Sequence, residues 1–514
     1  MLLSDSLEVR ASRGKARLLL RDRSARGGAQ PTRERGPLGP VPAARHTRVL
    51  PFPLSASCAG CGGVPVRRLK LSLMVAAAVL APATALAVTD ADRVAVYRQF
   101  RAAFDAHRYP DALPLAEKLV ALTQEQYGAN DRELVNPLSN LGTTQFRMGD
   151  YKDAEDTYLR SVKIAADTGG GTADRLMLRP LQGLGATYYA TRQYEDASVT
   201  LQRALDLSRN LDGLLNPAQM TILYPLIGSL VNLERHSEVD REFQYAVRVA
   251  QSAWGSTDAR VIRPVDRYAR WLEHMGRYPS ARAEYARELT LAEGAGSRAA
   301  RLVIDPLLGI ARTYRLEAMI GSDEEALQYV DPFAQPGPGL VTEHGVRGLS
   351  PDGEKALLLA LQTIDKMRPV DHPIRGTTLM ELGDWYLCAD QTDKSLVRYR
   401  DAWKEFQQAG STATLDVPRQ LAYRAPSSSI SRSPLAERDN TDEHSVQATF
   451  TVKRDGHTTN VTTNSSDATG SQQKLVLAAV RRARYAPRLL NGEPVDTEGV
   501  TLLERLLSKK PRQP

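Results

Sequence analysis

Residues 140–154 read NLGTTQFRMGDYKDA, and the spacing of small and aromatic residues in this stretch recurs along the first half of the chain. A tyrosine, or a residue in its place, returns at intervals of 42, 43, 43 and 41 residues. These positions are Tyr109, Tyr151, Tyr194, Ser237 and Tyr278. A fixed period of this length indicates one helical hairpin stacked repeatedly, which forms an extended surface for holding other molecules.

Small residues keep a fixed distance from each tyrosine position. Three residues after it stand Ala112, Ala154, Ala197 and Ala281, with Asp240 at this position in the degenerate fourth copy. Nine residues before it, in all copies but the first, stand Gly142, Gly185, Gly228 and Ala269. We expect these residues to let antiparallel helices approach closely. The second helix of copy two carries one helical stripe that we interpret as core: Tyr151, Ala154, Tyr158 and Val162.

Two groups of residues carry a family resemblance. Asn140-Leu141-Gly142, followed by Gly149-Asp150-Tyr151 and then Ala154, resembles the tetratricopeptide repeat. The period is longer than that family's usual one and resembles the long-helix subtype found in kinesin light chains. The resemblance implies a mainly α protein whose helical hairpins stack as an α-solenoid.

The resemblance also implies where the array runs and how it binds. We expect it to cover residues 88–410, with weak fourth and sixth copies and a clear copy again at 375–410. Residues 331–353, rich in Pro and Gly, interrupt it as a long loop or a disrupted repeat. In this family the first helix of each hairpin lines the ligand groove, so the resemblance implies that Asn140 contacts a partner.

The first 87 residues differ in charge from the rest of the chain. They contain 14 lysines and arginines against 4 aspartates and glutamates, a net charge of +10, whereas the remaining residues carry −3. The basic excess therefore gives no support to a polyanion-binding face, and we expect no nucleic-acid partner. Residues 1–66, rich in Arg, Pro and Gly, have no sustained apolar period and are predicted to be a disordered extension.

A targeting segment is predicted at residues 67–87. Arg67, Arg68 and Lys70 precede an apolar run of 17 residues, Leu71–Ala87, that ends Ala-Leu-Ala. A basic, an apolar and a small-residue region in this order are typical of a cleaved secretory signal peptide. A retained membrane anchor is the alternative, although the run is shorter than most spanning helices. Because a signal so far into a chain is unusual, we expect translation to start nearer to this segment.

The residue pattern changes towards the C-terminus. Residues 411–443 include a Ser- and Pro-rich stretch and are predicted to be a linker. A first strand is predicted from the alternation of a half-buried strand at Val446, Ala448, Phe450 and Val452. It is followed by a second strand over 457–463, a helix over 472–484 and one or two strands near 500–503.

The C-terminal pattern resembles the C-terminal domain of the TonB energy transducers. The match covers residues 444–506, leaves 507–514 as a tail, and implies a small α+β domain of ββαβ order. An alternating strand, two glycine turns and an aromatic-x-Pro step carry it: Phe450, Val452, Asp455-Gly456, Tyr485, Pro487 and Asn491-Gly492.

This second resemblance implies binding by strand addition. In the family, the domain captures a short segment of an outer-membrane receptor at an exposed sheet edge, where backbone groups supply most of the contact. We therefore expect Val500 and Leu502, in the last apolar stretch, to take part in partner binding. A unit that merely caps the array is the alternative. A repeat array replaces the family's long Pro-rich spacer here, which puts coupling to the proton-motive force in doubt.

Residues for catalysis or cofactor binding follow no recognised pattern. The eight histidines form no close pair, and no phosphate loop, dinucleotide fingerprint or nucleophile elbow occurs. Cys58 and Cys61 precede the predicted cleavage site, so the mature chain would keep Cys388 alone and form no internal disulfide. We expect no metal, no cofactor and no enzymatic activity.

The sequence therefore predicts a periplasmic, non-enzymatic scaffold with a strand-addition module at its end. Its predicted partners are envelope proteins or peptide segments, outer-membrane receptors among them. We expect membrane contact only if residues 71–87 are retained. The alternative function is a TonB-type energy transducer for outer-membrane transport, anchored in the inner membrane and facing the periplasm.

Overall fold

The computed structural model describes residues 89–169, 174–294, 299–321, 349–430 and 441–509. The predicted extension at 1–66, the targeting segment at 67–87 and most of the interruption at 331–353 lie outside the described residues. Within the described ranges, every helix is too short or too polar to cross a membrane.

The described helices of the array stack as seven antiparallel hairpins, each with a first and a second helix. Hairpins one to five are α1 Asp90–Asp105 with α2 Tyr109–Tyr127, α3 Val135–Met148 with α4 Tyr151–Thr168, α5 Leu178–Ala190 with α6 Tyr194–Asp212, α7 Met220–Asn232 with α8 His236–Trp254, and α9 Ile262–His274 with α10 Tyr278–Gly294. After the short α11 Ala299–Leu302 come hairpin six, α12 Ile304–Ile320 with α13 Pro351–Asp365, and hairpin seven, α14 His372–Cys388 with α15 Thr392–Gln408. The predicted solenoid of helical hairpins is confirmed.

The recurring tyrosine begins the second helix of a hairpin. Tyr151 is the first residue of α4, and its ring packs edge-on against Phe146 of α3, with 5.5 Å between ring centres. The tyrosine thus covers the turn between the two helices, where the repeat pattern places it. Equivalent pairs cover the turns of hairpins one and three: Phe104 with Tyr109, and Tyr189 with Tyr194.

Glycines give the helices of the array room to approach. A Cβ placed on Gly142 would lie 3.0 Å from a ring carbon of Tyr158, and one on Gly183 would lie 2.1 Å from the same ring. A Cβ on Gly185 would lie 2.5 Å from Cγ of Leu201. A side chain at Gly183 or Gly185 would overlap its neighbour, so α4, α5 and α6 pack at this distance because glycine stands there.

The fourth hairpin shifts the repeat by one residue. Its second helix begins at His236, so this histidine holds the tyrosine position and the prediction of Ser237 is wrong. The small-residue position is then Val239, which is fully buried, and not Asp240, whose carboxylate binds side chains of hairpin five. The register is fixed by capping residues that lie 20 positions before each second helix of hairpins two to five and accept a backbone N–H: Asp131, Asp174, Asn216 and Asp258.

The C-terminal unit follows hairpin seven. Its elements are β1 Arg419–Ala422, β2 Thr441–Val452, β3 Thr458–Asn464, α16 Gly470–Arg482, β4 Arg484–Ala486, β5 Arg488–Leu490, β6 Glu493–Val495 and β7 Thr497–Lys509. The main sheet is antiparallel in the order β3-β2-β7, while β1 pairs with β4 and β5 pairs with β6. The predicted ββα order is confirmed, but four strands follow the helix where one or two are predicted, because β4, β5 and β6 are each only three residues long.

The main sheet packs its alternating apolar residues against α16. Phe450 of β2 is buried among them, and its ring centre lies 5.3 Å from that of Tyr485, the aromatic residue of the aromatic-x-Pro step. Asn491 and Gly492 have φ values of 52° and 84°, which suit the tight turn that joins β5 to β6. The residues that carry the sequence resemblance thus lie in the core and the turns of this unit.

Part of the segment predicted as a linker, 411–443, is packed into the structure. Leu415 and Leu421 are buried in one apolar cluster with hairpin seven, and residues 419–422 form β1. We call residues 411–430 the strap. It runs from the end of α15, past the first helix of hairpin seven, to the edge of β7.

Candidate partner-binding surfaces

The first helices of the hairpins form one continuous face of the array. Helix α3 contacts α5, α5 contacts α7, and α12 contacts α14. We call this the first-helix face. Residues at equal distance from the second helix occupy equivalent positions on it. Eleven residues before the second helix stand Asn140, Gly183, Pro225, Arg267 and Glu381, and eight before it stand Thr143, Ala186, Gly228, Arg270 and Asp384.

Asn140 lies on this face, with its side chain bound inside the array. Its Oδ1 accepts a hydrogen bond from Nη2 of Arg179 on α5 at 3.0 Å, and only 7% of the residue is exposed. The bond ties hairpin two to hairpin three. Arg179 is itself exposed, so a ligand on this face would meet its guanidinium beside Asn140. A partner-binding role for Asn140 stays a prediction.

Hairpin five adds positive charge to the first-helix face. The guanidinium of Arg267 lies over the ring of Tyr224 on α7, with Cζ 3.8 Å from the ring centre. Arg263 is exposed, and Arg270 forms an ion pair with Asp266 at 2.7 Å. Ring stacking and ion pairing fix the orientation of guanidinium groups, which suits them to carboxylates of a partner.

Towards hairpin seven, the same face holds a partly buried ion network. Arg312 of α12 binds the carboxylate of Glu273 on α9 and lies 3.7 Å from Glu381 on α14. Arg315 lies 3.5 Å from the same Glu381. Burial acts to lower the pKa of Arg312, but the hydrogen bond to Glu273 and the nearby carboxylates outweigh it and raise the pKa above its usual range. Arg312 therefore stays charged.

The strap enters this network. Arg419 of β1 donates from Nη2 and Nη1 to the carboxylate of Asp384, at 2.8 and 3.2 Å, and the hydroxyl of Tyr399 donates to it at 2.8 Å. Arg315 donates from Nη1 to the carbonyl of Leu421 at 2.9 Å. Asp384 is 1% exposed. An extended segment of the chain itself therefore lies against the first-helix face of hairpin seven.

The outer edge of β7 also meets the strap. The N–H of Leu507 donates to the carbonyl of Ser428 at 2.7 Å, so this amide points away from β2. Ser429 and Leu506 form an isolated bridge. In the parts of the chain that the structure describes, no other backbone pairs with this side of β7. Because amides alternate in direction along a strand, three more point outward: those of Thr501, Leu503 and Arg505.

Val500 and Leu502 lie on β7 opposite Phe450 and Ala448 of β2. Their side chains are half-buried and pack against the core of the C-terminal unit. By the alternation of the strand, their amides point towards β2. Their part in partner binding stays a prediction, and the groups that face outward at this edge belong to their neighbours. Among these, Leu503 is 65% exposed.

A buried carboxylate fastens the strap to β7. Glu504 is 7% exposed and accepts hydrogen bonds from the hydroxyl of Tyr423 at 2.6 Å and from the hydroxyl of Ser429. Burial and the hydrogen bond to Glu504 raise the pKa of Tyr423 above its usual range, so the phenol keeps the proton that it donates.

Sequence reasoning missed the carboxylates of hairpin seven and the strap. Comparison in register could have found the carboxylates, because Glu381-Leu382-Gly383-Asp384 aligns with Asn140-Leu141-Gly142-Thr143. The strap left no such signal, since its Ser- and Pro-rich composition is that of a free connector.

Within the described ranges, no cluster of three His, Cys, Asp or Glu side chains is placed to hold a metal ion. Burial raises the pKa of Cys388 to about 11, which keeps it an unreactive thiol.

A shallow groove of about 480 Å³ lies beside α2, lined by Glu117, Val120, Gln124 and Leu141 among others.

Two family models match parts of the chain. Residues 101–167 match the tetratricopeptide repeat family, and residues 434–502 match the family of the Gram-negative bacterial TonB protein C-terminal domain. Both resemblances drawn from the sequence are confirmed. Repeats of this kind indicate a protein–protein interaction scaffold.

Several solved structures are similar to this chain. A putative kinesin light chain repeat protein from Podosopora anserina gives a TM-score of 0.36 at 14% identity, over 40% of this chain and 96% of that one. BtubC from P. vanneervenii gives 0.31 at 16% identity, over 62% and 93%. Aspartyl phosphate phosphatase F from Bacillus subtilis gives 0.32 at 11% identity, over 61% and 72%. Among curated protein sequences, none matches this chain.

Proposed function

We propose that this chain is a periplasmic scaffold that holds one protein on its first-helix face and adds a strand of another to the edge of β7. The observation that carries the proposal is the outer edge of β7, where the amides of Thr501, Leu503 and Arg505 point away from the sheet. An outer strand of 13 residues with an exposed leucine is a ready template for another strand.

The first-helix face supports the other half of the proposal. Arg179, Arg263 and Arg267 on hairpins three and five give this face positive charge. A partner segment with acidic side chains fits such a surface, because guanidinium groups bind carboxylates with paired hydrogen bonds. We propose that the outer-membrane and envelope proteins bound here carry such segments.

Substitution at one position of β7 tests strand addition. Leu503→Pro removes an outward N–H, whereas the matched Leu503→Ala removes the side chain and keeps the N–H. We expect Leu503→Pro to lose the envelope proteins that the full chain captures, and Leu503→Ala to keep them. Thermal unfolding of both variants shows whether the sheet is intact. Equal capture by Leu503→Pro and the unaltered chain, with both folded, would rule out strand addition at this edge.

The periplasmic location rests on the signal-like residues 67–87 and is tested separately. We expect the mature protein to begin at Val88 and to appear in the soluble periplasmic fraction. N-terminal sequencing after cell fractionation measures both properties. A mature chain that keeps the apolar run in the inner-membrane fraction would contradict the proposal.

A membrane-anchored TonB-type transducer is the second candidate. The match at residues 434–502 and the apolar run at 71–87 favour it. Its anchor would have to stay attached, so the same N-terminal sequencing separates the two functions. A soluble mature protein beginning at Val88 eliminates the transducer.

A further inference from the structure

One continuous segment of this chain touches both candidate surfaces. The strap contacts the first-helix face of hairpin seven at β1 and reaches the outer edge of β7 at Ser428. Arg419 and Ser428 lie only nine positions apart along the chain. Events at one surface therefore have a short covalent path to the other.

The contact at hairpin seven resembles a bound ligand. Arg419 provides a guanidinium to a carboxylate that is 1% exposed, and Leu421 provides a backbone carbonyl to Arg315. Leu415 and Leu421 fill the apolar cluster beside them. An extended peptide bound in this way occupies positions on the first-helix face that another segment would otherwise contact.

The contact at β7 occupies groups that an added strand needs. The carbonyl of Ser428 takes the outward N–H of Leu507 at 2.7 Å. Tyr423 and Ser429 hold it there through Glu504. The N–H of Leu507 donates to one acceptor at a time. A partner strand that pairs along β7 beyond Arg505 must therefore displace this part of the strap.

We infer that the strap is a latch with two ends, and that release of either end loosens the other. Each end joins a buried carboxylate to donors on the strap, Asp384 at the array and Glu504 at the sheet. When the strap leaves, Asp384 keeps the hydroxyl of Tyr399 but loses Arg419, and Glu504 loses Tyr423 and Ser429. Each end thus loses hydrogen bonds to a buried carboxylate, so opening at one end favours wider opening of the segment. Binding at β7 and exposure of the first-helix face of hairpin seven are therefore coupled, and the coupling is reciprocal.

The inference depends on the proposed function only for what binds to the freed edge. The latch is tested in the full chain without a partner, by amide hydrogen exchange read by mass spectrometry. If Leu503→Pro shows that no strand is added at β7 but the exchange experiment shows coupled opening of the strap, the proposed function fails and the latch stands.

Two variants open the latch from opposite ends. The double variant Tyr423→Phe with Ser429→Ala removes both donors to Glu504, and Arg419→Gln removes the charge that binds Asp384. We expect the double variant to speed amide exchange about tenfold in peptides covering residues 413–422. We expect Arg419→Gln to speed it about tenfold at Leu507. Each substitution lowers the free energy of local opening by about the value of one hydrogen bond.

A matched control breaks a contact between the same two parts away from the strap. Glu493→Gln removes the exposed ion pair between Arg400 and Glu493 and should leave strap exchange unchanged. Exchange in β2 and α16 should stay slow in every variant, which shows that the unit is folded. Acceleration confined to the substituted end in both latch variants would overturn the inference.

Discussion

Hairpins two and seven share one design and differ in charge at the same positions. In hairpin two, Tyr158 packs on Gly142 and its hydroxyl lies 2.9 Å from that of Thr143. In hairpin seven, Tyr399 packs on Gly383 and its hydroxyl donates to Asp384 at 2.8 Å. The paired hydroxyls of Thr143 and Tyr158 carry no charge, so they need no charged partner from a neighbouring hairpin. A buried carboxylate needs one particular neighbour, and here Arg419 of the strap is that neighbour.

The largest expected effect breaks this comparison on its charged side. Asp384→Ala should lower the free energy of unfolding by about 3–5 kcal/mol, because Arg419, whose side chain is 21% exposed, and the buried hydroxyl of Tyr399 both lose the carboxylate that they bind. Thr143→Ala at the equivalent position should cost about 1 kcal/mol, the value of one neutral hydrogen bond. Urea unfolding, followed with a probe in each half of the chain, measures both. Similar losses from the two substitutions would show that charge does not distinguish the two hairpins.

Glu288 extends the comparison to pH. It lies ten residues after the start of α10, where α4 carries Ser161. Ser161 donates to the carbonyl of Val135 at 3.0 Å, whereas Glu288 is 3% exposed and burial raises its pKa to about 8.

The sign of the pH effect follows from that raised pKa. The folded protein keeps the proton on Glu288 up to about pH 8, while the unfolded chain releases it near the usual value of 4.5. Stability should therefore fall as pH rises through this interval, by at most a few kcal/mol, and level off above it. Glu288→Gln should remove most of the change of the thermal midpoint with pH across the same interval. If the midpoint of that variant changes with pH as much as that of the unaltered chain, another group causes the effect.

Two glycines sharpen the comparison on its apolar side. Gly183 on α5 and Gly142 on α3 face the same ring of Tyr158, but an added Cβ would lie at 2.1 Å in the first case and 3.0 Å in the second. We expect Gly183→Ala to lower the free energy of unfolding by about 1–3 kcal/mol through overpacking. Gly142→Ala should change it by less than about 1 kcal/mol, since alanine favours the helix and the ring needs to move little. Thermal unfolding gives the order, and a larger loss from Gly142→Ala would contradict it.

The smallest expected effect concerns an exposed contact at the junction. Arg400 of α15 and Glu493 of β6 form an ion pair at 2.8 Å, with 39% and 65% of their side chains exposed. Glu493→Gln should change the free energy of unfolding by less than about 1 kcal/mol, and added salt should remove the difference. A loss of stability as large as that from Asp384→Ala would show that exposed ion pairs stabilise the junction as much as its buried charges do.

The repeat could be predicted because each hairpin carries local marks. Tyrosine at the start of the second helix and glycine where helices approach recur in sequence, so periodicity alone places most helices. The period alone puts the fourth copy at Ser237, one residue beyond the start of its second helix at His236. The cap at Asn216, 20 residues before that helix as in the neighbouring copies, marks the correct start.

The contacts of the strap could not be predicted in the same way. Arg419 and Asp384 lie 35 residues apart, and Tyr423 and Glu504 lie 81 apart. No periodic pattern links such pairs, because each forms once, and the composition of the strap favours a free linker. Sequence reasoning therefore found the strand that carries the predicted edge and missed the segment that lies against it.

The apolar cluster shared by hairpin seven and the C-terminal unit has a consequence for how this protein can change in length. Phe406 and Leu379 of hairpin seven pack with Leu421 and Leu489, in the place where an eighth hairpin would stack. A duplicated hairpin is accommodated inside the array, where each unit asks the same of its neighbours. A hairpin of different sequence inserted after hairpin seven would separate Asp384 from Arg419 and expose this cluster, so an added unit that keeps these contacts belongs within the array.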